Sequence, residues 1–586
     1  MQKEWNFTPI DSELRAKLVK GLNILPVTAQ LLINRGLVDI DKALSFLSPK
    51  LEDLHDPFLM KDMDKAVERL STAIMDGETI AIYGDYDVDG TTSTALLCLF
   101  LEEVGAAHII PYIPERMSEG YGLNKTAMET LAGKGVSLIV TVDCGSSNGA
   151  EVARAKELGM DVIVTDHHEV GTDKPLPHAF LNPRQSDCGY PFKGLAGVGV
   201  AFKLVMALRA HLRDDGHFID DVPNIKKYLD IVAIGTVADM VPLVDENRVL
   251  AGFGLKVLSA TTRIGLKALM EITLQSGWSG GVTSDNIAFQ IAPRINAAGR
   301  VERADTALKL ITTTDTKEAR ELALRLDMEN SSRQVIERKI LEEALAMVEE
   351  RLKDGVYEKK VIVLSAKGWH SGVIGIVASR LVERYARPTL LIAIDADGVG
   401  KGSARSVRGV DILTGIAAAS EHLVRFGGHK AAAGLTVDEA EVEAFKSDYI
   451  EYMERNVSDE DLIPKINIEC EVSFDELQMD MILELEKLAP FGMGNAKPML
   501  AVSDAEVMST KVVAKKHLRL TLGKGGVVKD AIAFGKSDMH PLSGKGFIVA
   551  FSPYLDRWNG REKVGIRVKE IKALSEDLKG QVSVKI

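Results

Sequence analysis

The chain reads as an α/β protein: a parallel-sheet catalytic domain, a long connector helix, a second α/β domain and a C-terminal β-barrel of the OB-fold type. Three observations predict this. Apolar strands alternate with helical stretches from about residue 79 to 170, and the pattern restarts after about residue 355. Between them Thr316 to Asp354 contains no proline or glycine. From about residue 461 short, glycine-punctuated strands take over. At 586 residues the chain is also too long for one ordinary core.

Residues 1 to about 75 predict short helices, such as "DSELRAKLVKGL", broken by Pro26 and Pro57. They are grouped with the catalytic domain as residues 1–315. There "TIAIYGDYDVDG", "VSLIVTVDCG" and "MDVIVTDHH" are strands followed by glycine-bearing turns and helices, the signature of a parallel βαβ sheet. The run 316–354 is rich in Glu, Ala, Leu, Lys and Arg at helical spacing. It would span roughly 50 Å and serve as a connector. "KVIVLSAKGWHSG" and "PTLLIAIDADG" begin the second α/β domain, 355–460. "HLRLTLGKG" and "VKDAIAFG" belong to the barrel, 461–586, where Asn559-Gly560 is a strong hairpin dipeptide.

Composition narrows the class. Hydrophobic residues at 46% and charged residues at 26% are those of a soluble globular protein. The start "MQKEWNFTPID" carries no apolar signal core, and no apolar run reaches membrane-spanning length, so no membrane association is expected. Cys98, Cys144, Cys188 and Cys470 form no CxxC pair, which disfavours structural zinc or a disulfide framework and fits the cytoplasm. A net charge of −13 argues against a general nucleic-acid coat but leaves room for a local basic channel.

Ligands of parallel sheets gather beyond the carboxyl ends of the strands, where the polar motifs lie. In "AIYGDYDVDGT" three aspartates, Asp85, Asp87 and Asp89, fall at alternate positions, which on a strand would point all three the same way. Such crowding needs a cation or water to offset it. A calcium loop is excluded because no bidentate glutamate follows at the twelfth position. Asp143 ends another apolar strand, Asp166-His167-His168 the next, and Asp239 follows the apolar segment in "AIGTVADMVPL". A lone aspartate at such a place is usually a cap, and a lone histidine usually a surface group. Four clusters in one βαβ series favour a site for Mg²⁺ or Mn²⁺.

These residues resemble the DHH phosphoesterase superfamily, named for the Asp166-His167-His168 triplet. "RFGGHKAAAGLT" is similar to the DHHA1-like substrate-binding domain that accompanies such catalytic domains. "SEGYGLN", "APRINAAGR", "GWHSGVIGIVASRL", "GSARS" and "PFGMGN" resemble one branch, single-strand-specific 5′→3′ exonucleases, from about residue 20 to 570.

The resemblance implies that Asp89, Asp143, His167 and Asp239 hold one metal ion and that Asp87 and Asp143 hold a second, with Asp143 shared. Some superfamily members carry a histidine where this chain has Tyr83, and Asp85 fills the gap directly or through water. Asp166 would orient His167, and His168 would face the substrate phosphate. The cations, about 3.5–4 Å apart, would activate water for single-step hydrolysis without a covalent enzyme intermediate. Arg116, Ser403 and Arg405 would hold a terminal 5′ phosphate, and Arg300, His370, Gly428 and His429 would add contacts. Lys511, Lys515, Lys516, Arg519 and Trp558 would make the barrel a single-strand module.

The expected activity is thus single-stranded DNA degradation from a free 5′ end, in repair and recombination, by a monomer partnered by a helicase and a single-strand-binding protein. The alternatives are a phosphodiesterase of short oligonucleotides or cyclic dinucleotides, and a scaffold without catalysis.

Overall fold

The computed structural model describes residues 3–115, 119, 122–171, 174–218, 221–274, 281–301, 305–353, 356–357, 359–558 and 561–574, with the backbone alone at 299–301, 356, 557–558 and 561. The chain forms two compact units. The larger gathers Phe7–Gly299, Arg303–Leu326 and Asn467–Ile586, and the smaller is built mainly on Asp327–Ile466.

In the larger unit, helices α1 (Ser12–Leu22), α2 (Pro26–Asn34), α3 (Ile40–Leu47) and α4 (Met63–Met75) precede a five-stranded parallel sheet. Its strands are β1 (Thr79–Gly84), β2 (His108–Tyr112), β3 (Leu138–Val142), β4 (Asp161–Thr165) and β5 (Ala179–Leu181), in the order β2-β1-β3-β4-β5. Helices α5 (Val88–Glu103), α6 (Lys125–Gly133), α7 (Gly149–Glu157), α8 (Gly197–Asp214), α9 (Leu229–Ala238) and α10 (Asp245–Ser259) cover it. Ile80, Ile82, Val140 and Ile163 pack with α5, α8 and α9, whereas Ala81, Tyr83, Ile139 and Val164 pack with α6 and α7. Alternate side chains of one strand therefore serve two apolar cores, which is why β1 reads as an unbroken apolar run.

Register sets up the site. Gly84 pairs with Val142, Val142 with Thr165 and Thr165 with Leu181. The residues that follow, Asp85, Asp143, Asp166 and Asn182, therefore leave the sheet in one row at its carboxyl edge.

Behind the sheet Lys203 of α8 and Glu246 of α10 form a fully buried pair, Nζ to Oε1 2.5 Å. Glu246 also accepts from Tyr190 Oη at 2.7 Å and from the His55 amide at 2.9 Å, and Lys203 donates to the His55 carbonyl at 2.8 Å.

The long run after residue 316 forms helix α11 (Thr316–Glu349), which ends short of Asp354 because Leu352–Lys353 turns into a two-stranded pair with Val356–Tyr357. In the smaller unit β6 (Ile362–Lys367), β7 (Thr389–Ile394), β8 (Val399–Arg405), β9 (Leu423–His429) and β10 (Ala432–Asp438) form a mixed sheet ordered β9-β10-β8-β7-β6. Only β6 and β7 run parallel; the other neighbours are antiparallel. Helix α12 (Ile374–Tyr385) packs with Leu364 and Leu391, while α13 (Ile412–Ala418) and α14 (Val442–Asn456) pack with Leu390, Ala404 and Leu435.

Past helix α15 (Met479–Glu486), strands β11 (Leu500–Val513), β12 (His517–Lys524), β13 (Val527–Ala533), β14 (Gly544–Trp558) and β15 (Arg561–Ala573) pair in the order β11-β12-β13-β15-β14. β14 pairs back to β11 and closes a five-stranded barrel. The Asn559-Gly560 turn lies outside the described residues.

The N-terminal helices depart from the sequence grouping. Leu18 of α1, Leu31 of α2 and Phe46 of α3 share one apolar core with Leu500, Leu518, Val549 and Phe551 of the barrel, not with the parallel sheet. Arg35 fixes the contact, donating to Glu469 Oε1 at 2.7 Å and Asn495 Oδ1 at 2.8 Å. Arg248 of α10 joins the pieces: it donates to the carbonyls of Phe46, Lys487 and Leu488 and stacks 3.7 Å from the Phe46 ring centre. An amphipathic pattern says that a face is buried, not which distant segment buries it.

Candidate metal centre

β1 ends at Gly84, so the three aspartates are not strand residues as their alternation suggested. Asp85 lies in the turn, Asp87 is the N-cap of α5 and accepts from the Gly90 amide at 3.0 Å, and Asp89 is in the first helical turn. The turn is too tight for larger residues: a Cβ on Gly90 would lie 2.4 Å from the Asp85 carbonyl oxygen. Asp89 then meets the N-terminus of α8, accepting from the amides of Gly197 at 2.6 Å and Val198 at 2.8 Å.

Asp143 adopts a left-handed backbone, φ 59°, a conformation aspartate tolerates better than most residues. Gly197 makes room for it, since a Cβ there would lie 2.8 Å from both Cβ and Oδ1 of Asp143. Asp239 is the C-cap of α9, its amide bonded to the Gly235 carbonyl at 2.9 Å. Gly235 in turn could not carry a Cβ without approaching Asp89 Oδ1 to 2.9 Å. Gly197 and Gly235 are thus site residues that the sequence reading missed. The one signal was "AGVGVAF", a glycine-rich helix start able to present amides to an anion.

His167 Nε2 lies 3.1 Å from Asp143 Oδ1, 3.5 Å from Asp239 Oδ2 and 3.9 Å from Asp89 Oδ2. The partner of Asp166 is the other histidine. Asp166 Oδ1 accepts from His168 Nδ1 at 2.8 Å and from the His167 and His168 amides, while Oδ2 accepts from the Ser146 amide. The expectation that Asp166 orients His167 is therefore corrected: Asp166 holds the His168 ring, and the His167 ring lies among Asp89, Asp143 and Asp239. Tyr83 is turned away, its hydroxyl donating to the Gly122 carbonyl at 3.1 Å and its ring stacked on Tyr112.

Burial and mutual repulsion dominate the electrostatics. Burial, then the charge of Asp87, pushes Asp89 up to about 7. Burial, then Asp89 and Asp87, pushes Asp239 up to about 9, and Asp143 rises for the same reasons. Burial, then His168, lowers His167 to about 4, which keeps its ring neutral. Burial works to raise Asp166, yet the bond from His168 leads the contributions that hold it below the usual carboxylate range.

The residues present fit divalent cations. Asp143 Oδ1, Asp239 Oδ2 and His167 Nε2 are buried atoms without a hydrogen-bond partner, the state a missing ligand bond leaves. Single donor atoms of Asp89, His167 and Asp239 lie within 4.8 Å of one another, and so do those of Asp85, Asp87 and Asp143. Carboxylate oxygens with one neutral imidazole suit Mn²⁺ or Mg²⁺.

Of the expected substrate contacts in the smaller unit, Ser403, Arg405, Gly428 and His429 lie on neighbouring strands. Ser403 and Arg405 share one face of β8, with Ser403 Oγ 3.1 Å from Arg405 Nη1, and Gly375 at the start of α12 leaves space above them. Arg405, Ala432 and His429 pair in one row across β8, β10 and β9, and Gly428 sits beside them at φ 142°. His370 Nδ1 accepts from the Gly372 amide just before α12. Arg116 and the side chains of Arg300 and Trp558 lie outside the described residues.

On the barrel Lys511 and Arg519 are register partners, and Arg519 is paired with Asp530 at 3.0 Å. A second group was not anticipated. The Arg567 guanidinium lies 5.3 Å from the ring centre of Phe534 and 5.4 Å from that of Tyr554, and His517 meets Phe534 edge-on. Only the fold brings these four residues together.

Three family models match the chain: the DHH family N-terminal domain over residues 79–236, the DHHA1 domain over 358–455 and the RecJ OB domain over 468–570. The chain is 39% identical over 586 residues to the single-stranded-DNA-specific exonuclease RecJ of Bacillus subtilis, covering 98% of this chain and 72% of that one. It is 36% identical over 487 residues to the protein of the same name from Escherichia coli, covering 81% of this chain and 84% of that one. The crystal structure of RecJ in complex with Mn²⁺ from Thermus thermophilus superposes with a TM-score of 0.83 at 31% identity, covering 98% of this chain and 80% of that one.

Proposed function

The chain belongs to the RecJ family, and from that premise we propose that it is a single-stranded-DNA-specific exonuclease acting from a free 5′ end in DNA repair and recombination. Two divalent cations, Mn²⁺ or Mg²⁺, serve as its cofactors. The observation that carries this reading is the convergence of Asp143 Oδ1, Asp239 Oδ2 and His167 Nε2, buried and without hydrogen-bond partners.

Asp89, Asp143, His167 and Asp239 would hold one cation, and Asp85, Asp87 and Asp143 would hold the other. A divalent pair bound there would supply Lewis acidity toward water and offset negative charge at a phosphate. The amides of Gly197 and Val198 keep Asp89 in place, and the left-handed backbone of Asp143 sets its carboxylate between the two groups. Asp166 holds the His168 ring, which meets the substrate phosphate. No side chain acts as nucleophile, so no covalent enzyme intermediate forms.

Ser403 and Arg405 would hold the 5′-terminal phosphate, and His370, Gly428 and His429 would add contacts to the strand backbone. The Phe534–Arg567–Tyr554 group offers the downstream bases stacking surfaces that any sequence satisfies. A helicase and a single-strand-binding protein are proposed partners of a monomer working in the cytoplasm. Among the described residues no single helix is long and apolar enough to cross a membrane.

Digestion of end-labelled single and double strands, with and without Mn²⁺, tests the activity. The expected result is metal-dependent release of nucleotides from the 5′ ends of single strands alone. Release from duplexes, or none with metal, would remove the reading. Arg405→Ala tests the pocket: it should weaken 5′-phosphorylated ends about tenfold more than 5′-hydroxyl ends.

A further inference from the structure

Met240 directly follows Asp239, yet 71% of this apolar residue is exposed and its backbone is left-handed, φ 58°. Strained backbone of this kind in a non-glycine residue is rare and gathers at functional sites. A second exposed methionine, Met493 at 58%, stands on the tight turn Gly492–Asn495 in the adjoining loop. The two loops are fastened together. Leu243 donates its amide to the Met493 carbonyl at 2.8 Å, and Cβ atoms on Gly492 and Gly494 would lie 2.7 Å from Leu243 Cδ1 and 3.0 Å from Pro242 Cβ. The buried Asn495 amide braces the turn, donating to the carbonyls of Leu488 and Pro490 while accepting from Arg35 Nε.

We infer that Met240, supported by Met493, forms an apolar seat for the nucleobase next to the phosphate being cleaved. This rests on the exonuclease reading above. A phosphate held at Asp239 would bring its nucleoside close to the next residue of the chain, the exposed Met240. Methionine suits the task because its thioether is unbranched and polarizable, and it adapts to flat faces of different outline. An enzyme that removes each base in turn needs a contact without hydrogen-bond demands, since directional donors and acceptors would discriminate among bases.

The test compares a 5′-phosphorylated DNA single strand with the same strand carrying abasic tetrahydrofuran residues at its two 5′-terminal positions. Wild type should show a higher KM on the abasic strand. Met240→Gly, which keeps the left-handed backbone and removes the side chain, should raise KM on the intact strand about five- to tenfold and leave kcat within about twofold. On the abasic strand its KM should match wild type. Met240→Leu should restore the intact-strand KM, and Met493→Ala should reproduce a smaller part of the loss. Equal effects of Met240→Gly on both strands, or no abasic difference in wild type, would overturn the seat alone. Wild type that digests neither strand would overturn the exonuclease reading and this inference with it.

Discussion

Two sets of buried ionisable side chains lie in the larger unit, and folding treats them in opposite ways. Lys203 and Glu246 are wholly buried, of opposite sign, and satisfied by each other, by Tyr190 and by the backbone of His55. Asp89, Asp143 and Asp239 are of like sign, and Asp143 and Asp239 each keep an oxygen without a hydrogen-bond donor. The first arrangement lowers the cost of burying charge by pairing it, as a structural network does. The second leaves that cost standing: burial first, and then repulsion, raises the affinity of Asp89 and Asp239 for protons. Burial alone therefore does not mark a site. Convergent like charge with atoms left over does.

The comparison breaks most sharply at Asp143, which clusters with Asp85 and Asp87 and also lies 3.1 Å from His167 Nε2. Asp143→Asn keeps the shape and tolerates the left-handed backbone, but removes the charge each cation needs. Nuclease activity should fall roughly a thousandfold or more. In chelator the same variant should be at least as stable as wild type, because it relieves repulsion. Strand digestion together with chemical denaturation in EDTA checks both halves; a variant that loses stability as well as activity would make Asp143 a structural residue.

Glu246→Ala probes the opposite case. It leaves the Lys203 ammonium buried without its counter-charge, and breaking such a pair costs about 3–5 kcal/mol. Denaturant midpoints should shift accordingly in EDTA and in Mn²⁺ alike, while the folded variant still binds metal. A loss that metal reverses would place this network in the site.

The parallel sheet, the barrel and most of the residues of the Asp–His cluster were legible because their signals are local. Asp166-His167-His168 and Asp143 each end an apolar strand, and a strand's polar terminus is visible without the fold. Three things were not. Gly197 and Gly235 matter for the Cβ they lack; the glycine-rich start "AGVGVAF" hints at Gly197 alone, and neither need is visible before α8 and α9 are pressed against Asp143 and Asp89. Which histidine Asp166 holds depends on rotamers chosen by neighbours from other strands. The pairing of α1–α3 with a barrel more than 400 residues away depends on shape between surfaces that the chain order separates.

The smallest effect expected is on stability against pH, and it sharpens the contrast without any mutation. Asp89 and Asp239 have folded values near 7 and 9, well above an ordinary carboxylate near 4. A raised folded value means that the folded form prefers the proton. The stabilisation is complete below about pH 4 and is lost as pH rises through 7 and then 9. Metal-free protein should therefore lose on the order of a few kcal/mol between pH 5 and pH 9. Saturating Mn²⁺ should remove or reverse the decline, because cation binding needs the deprotonated ligands that high pH supplies. The Lys203–Glu246 network cannot produce this metal-sensitive slope, since its charges are already paired. Denaturation curves across that range with EDTA and with Mn²⁺ should diverge as pH rises, and parallel curves would mean that the carboxylate cluster does not take up the cation.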